Sequence, residues 1–188
     1  MPVRRKGGFV VLLGSHFQQS ADQPDRSEHN PAANALIDKI ESDPTLNVVL
    51  FKSDNPDFFI ARYDISDVAA FAALPPGPTG LDAWNDVLVR LSRVPALTVA
   101  ALRGRARGAG SEFVLACDIR FASKERVVLG QFEVGGGAVP SGGPMARLSR
   151  LVGRGRALEI LIGTDDFTGE LAEATATSTA PFPMRNST

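Results

Sequence analysis

The sequence is poor in the residues that most often mark chemistry. Its 188 residues include one cysteine, two histidines, one tryptophan and one tyrosine. A single thiol excludes an internal disulfide framework, and Cys117 inside an apolar run reads as core. His16 and His29 lie in the polar stretch HFQQSADQPDRSEHNP, which has no helical or strand period and supplies no partners at metal or catalytic spacing. An excess of one charge is also missing. With 20 basic and 21 acidic residues the net charge is −1, which argues against nucleic acid or an anionic membrane as a partner. No apolar run approaches the length of a membrane span. The start, MPVRRKGGFVVLLGS, has basic residues before an apolar pentad. The pentad is short and no clear small-residue cleavage site follows it, so a cytoplasmic protein is expected.

Glycine is plentiful, and it punctuates one stretch in particular, LTVAALRGRARGAGSEFVLACDIRFASKERVVLGQFEVGGGAVPSGGPMARL, from Leu97 to Leu148. Leu97 to Leu102, with β-branched Thr98 and Val99, predicts a buried strand. Gly104, Gly108 and Gly110 allow a tight turn that exposes bare backbone N–H groups. From about Ser111 the run Phe113-Val114-Leu115-Ala116-Cys117 predicts a helix packed on most sides, whose N-terminus favours an oxyanion or phosphate. Glu112 falls in its first turn. Position alone leaves two readings of it open, a charge that complements the helix dipole and a functional carboxylate. Ile119 to Ala122 and Val127 to Gly130 read as strands, and Glu133 then stands before GGGAVPSGG. Each carboxylate thus sits where a regular element meets a glycine-rich loop, which makes the pair candidates for one cavity.

These segments resemble the enoyl-CoA hydratase/isomerase (crotonase) superfamily. Its pattern is N-G-x-A-x-G-G-G-x-E-L, C-D-x-x-x-A, G-Q-P-E and G-x-x-P-G-x-G-G-x-x-R-L. The matching residues are Gly104 to Glu112, Cys117-Asp118, Gly130-Gln131-Phe132-Glu133 and Gly137 to Leu148. Upstream, FFIARYDI is similar to the family's F-x-A-G-x-D-L loop, and the resemblance covers roughly residues 32 to 174. It implies an α/β spiral of repeated ββα units that acts on an acyl-CoA thioester, with coenzyme A arriving as part of the substrate and no metal or redox cofactor. It also implies that the amides of Ala61 and Ala109 form an oxyanion hole, that Glu112 and Glu133 are catalytic, and that Tyr63, Asp64, Ile65, Gly108, Pro140 and Ser141 line the substrate. Family members are usually homotrimers or dimers of trimers. Three positions depart from the pattern: Arg62 and Ala109 each replace a glycine, and Phe132 replaces a proline.

The flanks are less regular. Phe9 to Leu13 predicts a first strand, Ala32 to Asp43 a helix, Leu46 to Phe51 a strand, Asp67 to Leu74 a short helix, and Leu81 to Val94 an amphipathic helix with Trp84, Leu88 and Leu91 inward. Met145 to Val152 and Arg156 to Ile162 read as helices separated by Gly153. Residues 1–174 are expected to form the crotonase-like core, with 16–33 atypical. Ser20 to Asp25, back-translated and read one nucleotide out of phase, permits Pro-Pro-Ile-Asn-Leu, a segment of the family's kind. Thr175 onward permits Tyr-Gly-Tyr-Val-Asn-Arg-Ala-Leu-Pro in another frame. The expectation is therefore that 175–188 is an out-of-frame, disordered tail and that the family's C-terminal helical subdomain is missing.

Other classes fit less well. GRARGAG lacks the Gly-Lys-Ser/Thr ending of a P-loop and the third glycine of a dinucleotide fingerprint. Ser111 and Ser141 are not in a G-x-S-x-G elbow. A non-catalytic, truncated crotonase-like product remains the alternative to an active enzyme.

Overall fold

The computed structural model describes residues 3–6, 9–13, 29–60, 75–174 and 180–182, with side chains in 33–60 and 75–174. In chain order the elements are β1 (Val3–Lys6), β2 (Phe9–Leu13), α1 (His29–Ser42), β3 (Val48–Lys52), β4 (Phe58–Ile60), α2 (Ala83–Leu91), β5 (Leu97–Leu102) and β6 (Arg105–Arg107). They continue with α3 (Ala109–Ala116), β7 (Ile119–Ser123), β8 (Val128–Gly130), a 3-10 turn (Val134–Gly136), α4 (Pro144–Gly163), β9 (Phe167–Thr168), α5 (Gly169–Ala174) and β10 (Ala180–Phe182).

A unit of two strands and a helix recurs: β3-β4-α2, β5-β6-α3 and β7-β8-α4. The first strand of each unit joins a six-stranded sheet of order β1-β2-β3-β5-β7-β10, and the second joins a four-stranded sheet of order β4-β6-β8-β9. In the larger sheet β1 and β2 are antiparallel and the remaining neighbours are parallel. In the smaller sheet β4, β6 and β8 run parallel, so their carboxyl ends share one edge. The chain leaves that edge after Ile60, Arg107 and Gly130. The segments that follow carry Ala61, Gly108-Ala109 and Gln131 to Glu133.

The helices follow from their patterns. In α2 the N-cap Asp82 accepts from the Asn85 amide at 3.1 Å, and Trp84, Val87, Leu88 and Leu91 are buried at helical spacing. In α1 Ala33, Leu36, Ile37 and Ile40 form the matching buried stripe. Beside this apolar contact, Arg90 of α2 donates to Glu41 Oε1 at 3.0 Å and Oε2 at 2.6 Å, and to Asp38 Oδ1 at 2.5 Å. Glu41 foremost, with Asp38, holds the Arg90 guanidinium above its ordinary value against the opposing effect of burial. Arg90 also lies 3.6 Å from Asp86 Oδ2, a side chain with no exposure, whose other oxygen accepts from the Thr79 amide and hydroxyl at 2.8 and 2.7 Å. A second polar tie joins β5 to the end of α3. Thr98 N–H and hydroxyl donate to Asp118 Oδ2 at 2.8 and 2.7 Å, and the Asp118 N–H donates back to Thr98 Oγ1 at 2.9 Å.

Several boundaries differ from the sequence reading. α1 begins at His29 rather than Ala32, because Pro31 is tolerated in a first helical turn, where its missing N–H has no partner to lose. α3 begins at Ala109, and β6 occupies three residues that read as turn between Gly104 and Gly108. Ala180–Phe182 pairs in parallel with Phe121–Ser123, where disorder was expected for 175–188, and Pro181 is accommodated because β10 lies at the sheet edge. Gly153 (φ 76°, ψ 162°) breaks α4 where the sequence separates two helices. The helix expected at Asp67 to Leu74 and the atypical 16–28 lie outside the described residues. Among the described residues no helix is long and apolar enough to cross a membrane.

The Arg90 network yields a stability test. Arg90→Met keeps the apolar stem but leaves buried Asp86 without its neighbouring cation, at an expected cost of about 3 kcal/mol in urea unfolding. A loss under about 1 kcal/mol, the value of an exposed pair, would show that α1 and α2 do not depend on it.

Candidate active site

Glu112 stands in the first turn of α3 and is 4% exposed. A carboxylate this buried needs donors. Trp84 Nε1–H of α2 donates to Oε2 at 2.8 Å, and the Gly142 amide donates to Oε1 at 2.7 Å. Gly142 can come this close only because it has no side chain: a Cβ there would overlap the Glu112 carboxyl group. Gly110 has the same role one turn edge away, where a Cβ would overlap the Ile60 carbonyl. The N-terminus of α3 is thereby pressed against the end of β4.

Glu133 leaves β8 just before the 3-10 turn and is half-buried, with Oε2 inaccessible and without a hydrogen bond. Its Oε1 lies 3.0 Å from the point where a Cβ on Gly108 would stand, so it faces the turn from which α3 begins. Burial foremost, and the Glu112 charge in addition, push the Glu133 carboxyl above its ordinary value, while backbone N–H groups and Arg107 pull the other way. Phe132, the departure from proline, lies under the Arg107 guanidinium at 5.2 Å from the ring centroid, and Arg107 pairs with Asp166 at 2.7 Å.

Of the other predicted residues, Ala109 opens α3 and is 7% exposed, so its amide is one of the N–H groups a helix start leaves without an intrahelical acceptor. The Gly108 amide donates to Gly130 O at 3.0 Å, tying the α3 turn to the end of β8. Pro140 is buried and Ser141 exposed, both in the loop that delivers Gly142. Ala61, Tyr63, Asp64 and Ile65 lie outside the described residues. Trp84 was legible as an inward-facing residue but not as a donor to Glu112. The available signal was that a buried indole N–H needs an acceptor. Among the described residues no three His, Cys, Asp or Glu side chains gather as a metal site.

Fold and site together define an α/β protein of repeated ββα units with two carboxylates at one sheet edge. Residues 32–177 match the enoyl-CoA hydratase/isomerase family, and the chain belongs to that family. It is 30% identical over 138 residues to the mitochondrial methylglutaconyl-CoA hydratase of Mus musculus, covering 73% of this chain and 43% of that protein. It is 36% identical over 126 residues to the short-chain-enoyl-CoA hydratase of Clostridium acetobutylicum, covering 67% of this chain and 48% of that protein. The chain therefore spans less than half the length of these curated relatives. Among solved structures, a Streptomyces avermitilis protein assigned as an enoyl-CoA hydratase superposes with a TM-score of 0.83 at 40% identity, covering 96% of this chain and 65% of that one. The Bacillus anthracis enoyl-CoA hydratase, at 21% identity and TM-score 0.81, shares the fold across 97% of this chain and 69% of its own.

The raised Glu133 carboxyl gives a pH test. A group whose folded value lies above its unfolded one contributes stability at low pH that is lost as pH rises through the folded value. Wild type should therefore lose stability relative to Glu133→Gln as pH rises through and above the ordinary glutamate range. Urea unfolding of both at several pH values checks this, and parallel profiles would mean the carboxyl is not raised.

Proposed function

We propose that this chain carries the active site of an enoyl-CoA hydratase, adding water across the double bond of a 2-enoyl-CoA thioester. The observation that carries the reading is the inequality of the two carboxylates. Glu112 is held by two donors, and Glu133 is raised and has an unpaired oxygen. Hydration needs two such groups: one to take a proton from water as its oxygen bonds to Cβ, the other to supply a proton to Cα. Glu112, fixed in orientation, suits the first role. Glu133, whose protonated form is favoured by burial, suits the second. Glu112 ends the addition protonated and Glu133 ionised, so the elements of water are added with the protein's proton count unchanged, and transfer of the proton from Glu112 back to Glu133 resets the pair.

The thioester oxygen requires donors while the enolate-like charge develops on it. The amide of Ala109 at the start of α3 and that of Ala61, the residue after β4, are assigned to it. The parallel β4-β6 pairing supports this assignment, because it brings the ends of the two strands to one edge. Gly108, Pro140 and Ser141, with Tyr63, Asp64 and Ile65, are assigned to the substrate's surroundings. The names of the relatives, short-chain-enoyl-CoA hydratase and methylglutaconyl-CoA hydratase, support the same substrate class.

The test is hydration of crotonyl-CoA, followed by loss of enoyl absorbance. Glu112→Gln and Glu133→Gln should each lower kcat by about a hundredfold or more. If the wild-type chain binds crotonyl-CoA without hydrating it, the reading gives way to a non-catalytic acyl-CoA binder. If either glutamine variant retains wild-type kcat, that glutamate has no part in the chemistry.

A further inference from the structure

We propose that Arg147 is the positioning residue of Glu112: one guanidinium holds both elements that donate to this carboxylate. The proposal rests on the reading of Glu112 as a catalytic group, but its geometry stands apart from turnover. Arg147 lies in the first turn of α4, within the glycine-rich loop's own continuation. Its Nη1 donates to Gly142 O at 2.6 Å, and the Gly142 amide is the donor to Glu112 Oε1. Its Nη2 donates to Leu88 O at 3.2 Å, in the last turn of α2, one turn along from Trp84, the donor to Glu112 Oε2. The two arms of the fork therefore end on the two segments that fix the two oxygens.

The chemistry of the side chain suits the task. Leu88 O belongs to the carbonyl-rich end of α2, where a cation is favoured. Gly142 O and N–H flank one Cα, so holding the carbonyl keeps the Cα in place and limits how far the amide can move away from Glu112. The planar fork holds two acceptors at a fixed angle, which a lysine ammonium on a flexible stem does not do. Burial foremost lowers the Arg147 guanidinium from its ordinary value, and the Glu112 charge opposes that effect. The flanking Gly143 adopts φ 81°, and the Arg147 guanidinium packs against it, with Nη1 2.6 Å from where a Cβ would stand.

Trp84 is the chain's single tryptophan, and its indole N–H is one of the bonds at issue. In indole-15N-labelled protein it gives one side-chain resonance that reads this bond directly. Arg147→Met should move that resonance upfield, in the direction and to an extent comparable with Glu112→Ala, while the backbone amide spectrum stays dispersed. Arg147→Lys, kept as the second variant should the methionine form fail to fold, should move it part of the way. An indole resonance unmoved in a folded Arg147 variant, while Glu112→Ala moves it, overturns the proposal. A residue that merely stapled α4 to α2 would lower Tm without moving it. In crotonyl-CoA hydration, Arg147→Lys should lower kcat about tenfold with KM changed less than about twofold. An equal rise in KM at unchanged kcat would also overturn it. Wild-type inactivity would remove the catalytic reading of Glu112 and leave the resonance to decide the positioning claim.

Discussion

A carboxylate that is 4% exposed cannot be left to water, and much of this structure is arranged to give Glu112 its donors. One donor comes from a side chain on α2 and the other from a bare amide in the loop before α4. Three of the helices, α2, α3 and α4, therefore meet at one side chain. The glycine at position 142 is required by that meeting rather than by turn geometry, since any β-carbon would occupy the carboxyl group's own space. The same logic explains Gly110, where helix and strand end touch through backbone alone.

The partition of each ββα unit between two sheets supplies the rest. Because the second strands run parallel in one short sheet, three successive units discharge their loops at the same edge. One edge then receives the start of α3 and the segment that carries Glu133, and the glycine-rich loop before α4 supplies the Gly142 amide to Glu112. The environments of those carboxyl groups differ, and the difference matters for chemistry. A single proton shuttle needs one poised carboxylate, whereas addition of water asks one group to accept a proton and another to give one. Glu112 tied by two donors and Glu133 raised by burial fit the proposed division of labour better than two equivalent groups would.

How much of this was legible beforehand depended on sequence distance. Leu97–Leu102, the helix after Gly108, the strands Ile119–Ser123 and Val128–Gly130, and the break at Gly153 all follow from local period and glycine placement. Glu112 and Glu133 stood out as candidates because each adjoins one of the same glycine-rich loops. The three-residue β6 was not, because its flanking glycines made a short strand indistinguishable from a turn. Nor was the assignment of alternate strands to separate sheets, which local pattern does not encode. Trp84 lies 28 positions from Glu112 and Arg147 lies 59 from Leu88. No periodicity links such pairs. They become visible only when a buried polar group has to be given a partner and the fold is searched for one.

Helix α2 is held in orientation by polar ties on two sides. It delivers Trp84 to the site, so any rotation of the helix would carry the indole off Glu112. Arg90, on its last turn, anchors it to Asp38 and Glu41 of α1, and the Leu88 carbonyl anchors it to Arg147 of α4. One arginine is α2's own and reaches out to α1, the other reaches α2 from α4, and both act through directional bonds that apolar packing of Val87, Leu88 and Leu91 does not supply. Hydrophobic burial is non-directional and tolerates small rotations of a helix, whereas a fork donating to fixed acceptors does not. The polar ties around α2 therefore add little that the core lacks in cohesion; what they add is angle, and a hydrogen bond from an indole to a carboxylate is the kind of contact that needs it.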